Sequence, residues 1–269
     1  MDNKKNAVKD FWNENSCGEV LYLKGEDEIE AFKHQTSVRY QLEPYIRTFA
    51  DFSSATNKNV LEIGVGLGAD HQKFAEYGSF LKGIDLTEKA INHTKRRFRI
   101  FGLNSELSVA DAENLPFADE SFDIVYSWGV IHHSPDVPKA VNEIFRVLQL
   151  NGEARIMIYH SRSIVGYMLW LRYALFRLKP FLTLRDIYDK YLESPGTKAY
   201  SVEEARQMFS QFTNVEITTI LTHADLLTSE AGQRHRGKFL VLAKKIFPRA
   251  IIKRFLPRHG LFMMIKATK

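Results

Sequence analysis

Apolar positions near the start of the chain recur at helical spacing. Val8, Phe11 and Trp12 sit at i, i+3 and i+4, and a second helical stretch runs over 28–52 with an interruption at Pro44. The period then changes. Residues 59–63 (NVLEI), 80–84 (FLKGI), 107–110, 122–127 (FDIVYS) and 153–159 (EARIMIY) read as short strands. Between them lie helical stretches at 69–77, 87–101 and 139–148. Beyond Tyr159 the alternation loosens. Residues 163–178 are apolar apart from Gly166, Arg172 and Arg177, Pro195-Gly196 marks a turn, and Ser201 with Glu204 forms a capping box for a helix to about residue 209. Two further strands are predicted at 215–221 and 261–267. Strands alternating with helices predict an α/β fold, a doubly wound and mostly parallel sheet covered on both faces. No repeat or low-complexity linker interrupts it, so a single domain over 1–269 is expected. Its parts would be a helical cap (1–56), a core (57–160), a helical lid insertion (161–212) and the last two strands with a basic insertion (213–269).

The end of the first strand carries the first candidate chemistry. Gly64, Gly66 and Gly68 follow it directly, and glycines there permit positive φ and let a ligand lie against bare backbone. Alone, the loop is ambiguous, because Gly64, Gly66 and Ala69 also satisfy a dinucleotide fingerprint and Asp85 would suit a ribose diol in either ligand class. Three features favour a cationic adenosine ligand. Glu62 precedes the loop, where an acid repels a pyrophosphate but suits a cation. Asp111, after the third strand, offers an acceptor for an adenine amino group. No second βαβ half repeats the first.

From Val60 to Gly152 the chain resembles the class I S-adenosylmethionine (SAM)-dependent methyltransferases, in the small-molecule type 11 branch. The residues that carry the likeness are E-x-G-x-G-x-G at 62–68, Asp85, D-A-E-N-L-P-F at 111–117, S-F-D-I-V-Y-S at 121–127, His132-His133 and R-V-L-x-x-x-G at 146–152. The resemblance implies a Rossmann-like seven-stranded sheet with the last strand antiparallel, and SAM as the cofactor. It implies that Glu62, Gly64, Val65, Gly66 and Gly68 hold the methionine part and that Asp85 binds the ribose, with Leu86 beside the adenine. Asp111, Ala112 and Glu113 would serve the adenine, and Ser127 the SAM ammonium. His132 and His133 are then the candidate catalytic bases, and Trp128, Tyr159, His160 and Tyr200 the candidate acceptor pocket.

Absences narrow the acceptor. Ser127-Trp128-Gly129-Val130 stands where nucleic-acid amino-methylating enzymes carry Asp/Asn-Pro-Pro-aromatic, Cys17 is the only cysteine, and no acid stands directly after the fourth strand to hold a metal. Nucleic acid, arsenic and metal dependence are disfavoured. The expectation is methyl transfer to a small molecule, with a hydroxyl on an apolar, amphipathic or anionic acceptor favoured. An NAD-dependent oxidoreductase and a non-catalytic SAM-binding or membrane-associated protein stay open.

The net charge of +5 conceals an asymmetry. No acid follows Glu230, while residues 231–269 carry 11 of the 37 Lys and Arg, leaving 26 basic against 32 acidic residues before them. Such a block meets anionic lipid or phosphate, or stands as a solvated surface. Interleaved with Phe, Leu and Ile, it is expected to form, with the apolar 164–178 helix, a cap over the acceptor or a peripheral membrane contact. With no long apolar run and one cysteine, a cytoplasmic protein is expected. The sequence leaves the oligomeric state open.

Overall fold

The computed structural model describes residues 3–14, 19, 23–194, 196–228 and 244–269. Cys17, Pro195 and the 237–243 part of the expected basic insertion lie outside them. Seven strands form one sheet in the order β3-β2-β1-β4-β5-β7-β6. They are β1 (Asn59–Ile63), β2 (Phe80–Asp85), β3 (Glu106–Val109), β4 (Phe122–Trp128), β5 (Leu148–Tyr159), β6 (Thr213–Ile220) and β7 (Phe262–Thr268). β1 to β5 pair in parallel, whereas β7 is antiparallel to both β5 and β6. Strand order reverses between β1 and β4, which opens a crevice at their carboxyl ends.

Helix boundaries follow local chemistry. Pro44 separates α2 (Glu28–Leu42) from α3 (Tyr45–Ala50), as its ring and missing N–H require. Thr87 caps α5 (Glu88–Phe101), which ends at Gly102 in the left-handed conformation. Ser201 and Glu204 form the expected capping box of α9 (Val202–Met208). β5 starts five residues earlier than its pattern predicts. Its first half contains Asn151 at φ 65°, which reads as a turn but is accommodated where the β4–β5 register shifts between Phe122 and Ile124.

Alternation along the strands assigns the faces. Leu61 and Ile63 of β1, Val125 of β4 and Ala154, Ile156 and Ile158 of β5 pack one way, against α6 (Val137–Val147) and α9. Tyr126 and Trp128 of β4, with Met157 and Tyr159 of β5, pack the other way, against α3, α4 (Ala69–Glu76) and α7 (Ile164–Tyr173). The N-terminal cap is fastened to this second face by charge as well as by apolar contact. Asp70, in the first turn of α4, accepts from Arg39 Nε at 3.0 Å, from Arg39 Nη2, from Tyr40 OH at 3.0 Å and from Tyr126 OH at 2.8 Å. Buried Arg97 of α5 donates to Thr36, Gln72, Gln35 and the Phe32 carbonyl. Buried Arg155 of β5 donates to the Ala50 and Asp51 carbonyls and to Ser54.

Removing one partner of a buried ion pair strands the other charge. Asp70→Asn and Arg39→Met are each expected to lower the urea unfolding free energy by about 3 kcal/mol. The double variant should lose clearly less than the sum of the two. Simple additivity in that cycle would show that the pair does not fasten the cap.

Candidate active site

The crevice at the strand ends deepens into a cavity of about 650 Å³, an ordinary size for a site taking a cofactor-sized ligand. The glycine loop is its floor. Gly64 and Gly68 have positive φ, and a Cβ on either would collide, at Val130 and Thr94 respectively. Gly66 differs: its φ is +52°, and a Cβ there would meet nothing within 4 Å. It is the bare spot on the floor, and its N–H donates to Asp85 Oδ2 at 3.2 Å. The other Asp85 oxygen accepts from the Thr87 N–H and hydroxyl.

Two acids behind the loop are handled differently. Burial works to raise Asp70, yet the Arg39 charge and the bonds from Arg39, Tyr126 and Tyr40 outweigh it and hold the carboxyl below its usual range. Glu62 goes the other way, raised well above its usual range by burial and then by the neighbouring Asp70. Its Oε2 lies 2.8 Å from His71 Nδ1. The Ser105 hydroxyl spends its proton on the Leu81 carbonyl, so His71 Nε2 must donate to Ser105. That leaves a lone pair on Nδ1, and one proton lies between Glu62 and His71.

At one end, Asp85, Leu86, Asp111 and Ala112 line the cavity. Asp111 is already engaged: Lys5, on α1 (Asn3–Glu14), reaches it at 2.5 Å and Glu113 at 2.6 Å. Helix α1 thus roofs this end, and at the opposite end its Trp12 ring stands 5.3 Å from His133. There Trp128, Tyr159, Phe262 and Val165 supply apolar wall. Glu43 accepts from Trp128 Nε1 at 3.1 Å and is pushed up to about 7, by burial first and against the pull of Arg39.

Most expected site residues therefore meet in one cavity, but five do not reach its wall. Ser127 is buried on the opposite face of β4 from Tyr126 and Trp128, with its hydroxyl on the Ile63 carbonyl. Glu113 turns toward Lys5, Ser134 and the Asp136 N–H. His132 is fully buried against Tyr159, with ring centroids 4.0 Å apart. His160 bonds the Gly260 carbonyl and bridges to Tyr200 outside the cavity. Conversely, Arg39, Glu43, Glu193 and Trp12 line the cavity without having been singled out from sequence. The spacing of Trp12 with Val8 marked only a buried helix face, and the other three had no local signal.

The buried histidines set an acid limit. Burial brings both His71 and His133 down to about 3. The unfolded chain protonates each near 6.5, so the unfolded state binds more protons below that pH and stability falls on acidification, by about 1.4 kcal/mol per pH unit per group. Glu43 acts oppositely, removing stability as pH rises from about 4.5 toward 7. In urea titrations from pH 6.5 to 5, His133→Gln should flatten the slope by about 1.4 kcal/mol per unit. An unaltered slope would show that His133 titrates normally in the folded protein.

Residues 61–156 match the methyltransferase domain family. A phosphoethanolamine N-methyltransferase 2 from Caenorhabditis elegans is 26% identical over 230 residues, spanning 76% of this chain and 51% of its own. A norajmaline N-methyltransferase from Rauvolfia serpentina is 29% identical over 180 residues, 61% of this chain and 62% of its own. The chain thus spans about half to three-fifths of the length of these curated relatives. In fold it resembles the Haemonchus contortus phosphoethanolamine N-methyltransferase 2 solved with SAM, with a TM-score of 0.64, 18% identity and coverage of 97% of this chain and 60% of that one. The stretch holding the glycine loop, the β2 acid and the histidine turn is thus the part that is similar to the methyltransferase domain family.

Proposed function

We propose that the whole chain is a SAM-dependent methyltransferase acting on a small molecule with a substantial apolar body. The observation that carries this is Gly66: an open, positive-φ glycine on the cavity floor, tied to Asp85 and set between the Glu62–His71 pair and Asp111. The donor set suits SAM. Asp85 accepts from the ribose diol, Asp111 accepts from the adenine amino group once Lys5 yields, and the carboxylates around the loop favour a cation. The sulfonium supplies its own leaving group. The chain's work is therefore to align the acceptor and keep water out, which falls to Trp12, Trp128, Tyr159 and Phe262. The chain acts as a single unit, its cap and sheet closing one cavity.

The apolar C-terminal decorations support a further part of the reading, contact with an anionic membrane surface. Phe176, Phe181 and Phe255 are 68%, 77% and 72% exposed, and Arg177, Lys179 and Lys253 lie beside them in sequence. No helix among the described residues is long and apolar enough to cross a membrane.

Equilibrium dialysis tests the cofactor. SAM should bind and NAD should not, and Gly66→Val should weaken SAM at least about tenfold, because its side chain occupies the bare floor. Tight NAD binding without SAM would overturn the reading. For the surface, cosedimentation with phosphatidylserine vesicles should exceed that with phosphatidylcholine and fall in a Phe176→Ser/Phe181→Ser variant. Equal pelleting with both lipids would remove the membrane proposal.

A further inference from the structure

One polar spot in the cavity is not used by the cofactor reading. His133 Nδ1 lies 2.9 Å from Ser194 Oγ and 3.1 Å from Thr197 Oγ1. Thr197 spends its only hydroxyl proton on the Ser194 carbonyl at 2.7 Å, so toward His133 it can only accept. The tautomer that serves both of these contacts carries its proton on Nδ1, which leaves a lone pair on Nε2. That Nε2 is buried and has no hydrogen-bond partner among the described residues. Glu193 Oε2 stands 3.6 Å from it, held there by the Tyr159 hydroxyl at 2.7 Å. Two acceptors face one another, and His133 does not supply the proton between them, because burial keeps the ring neutral.

Such a gap selects its occupant. A hydroxyl has one proton and satisfies one acceptor. An amine has two N–H groups, or three with a positive charge when protonated, and meets both. Trp12 and Tyr159 place ring centroids 5.3 and 6.1 Å from the His133 ring, which suits a cation attached to carbon. Glu43 adds a second carboxylate to the same cavity.

We infer that the methyl acceptor is an amine on an apolar frame, its nitrogen held between His133 Nε2 and Glu193. This rests on the methyltransferase reading and replaces the hydroxyl acceptor favoured from sequence. A weakly basic, neutral His133 is a poor base for a hydroxyl but a good acceptor for an N–H. The departing proton goes to Glu193, whose side chain is 34% exposed and returns it to water. The freed nitrogen lone pair forms the N–C bond as the C–S bond breaks onto sulfur, so a neutral thioether leaves.

The test uses the full chain bound to S-adenosylhomocysteine, so that nothing turns over. Matched pairs such as benzylamine and benzyl alcohol, or octylamine and octanol, are titrated by calorimetry at pH 8. The amine should bind at least about tenfold tighter in the pairs that fit, and Glu193→Gln or His133→Phe should erase that margin. Equal binding within every pair, or a margin that survives both variants, would overturn the assignment. So would stoichiometric divalent metal in the purified protein, since His132, His133 and Glu193 present ligand atoms within 4.8 Å of one another. Failure of S-adenosylhomocysteine itself to bind would instead remove the methyltransferase reading. As a second readout, labelled SAM given the mixed pairs should place its methyl on nitrogen, and O-methyl products would count against the amine.

Discussion

Everything at this site depends on where Asp70 is held. It begins the helix after the glycine loop, and it takes hydrogen bonds from the cap through Arg39 and Tyr40 and from the sheet through Tyr126. A carboxylate taken out of water is tolerated only when its lone pairs are filled, and here four donor groups fill them. The consequence is positional. Moving the cap moves Arg39, which moves the first turn of α4, and with it the loop whose bare glycine forms the floor. Asp70 lines the cavity but is spent on architecture.

The same accounting separates the acids of the pocket into different kinds. Asp70 is ionised and saturated. Glu62 shares one proton with His71, so the floor is less negative than three carboxyls in a row suggest. A cation against the loop would favour the ionised form of Glu62. Asp85 is anchored by three donors from its own loops, which fixes the direction in which it faces a ligand. The charge is graded by hydrogen bonding, with the most adaptable group beneath the place where a cation is expected.

What was legible in the sequence follows from how far each signal reaches. Strand and helix order, the antiparallel last strand and the meeting of Glu62, Gly66, Asp85, Asp111 and His133 at one edge came from local pattern and family motif. Ser127 was misplaced although its own strand held the answer: with Tyr126 and Trp128 on one face, period two puts Ser127 on the other. His160 is expected in the pocket from its position at the end of a strand and Tyr200 from its place in the cap, but the chain uses them to close a bridge outside it. Arg39, Arg97 and Arg155 could not be read at all. Each lies on a helix or strand where an arginine ordinarily faces solvent, and only tertiary structure supplies the partners that keep it buried. Glu43 and Glu193 are the same case, polar residues beside a proline and after a helix that fold inward.

Helix α1 then ties the two ends of the cavity together. Lys5 satisfies Asp111 and Glu113 at the adenosine end, and Trp12 covers His133 at the acceptor end, on one rigid helix of 12 residues. If an adenine amino group takes Asp111, as proposed, it meets the Lys5 ammonium already there, so cofactor and helix share one carboxylate. Lys5 holds Glu113 at the same time, at 2.6 Å, so one carboxylate would stay with the helix while the other served the adenine. Glu113, which does not line the cavity, thereby helps to seat the helix that roofs it.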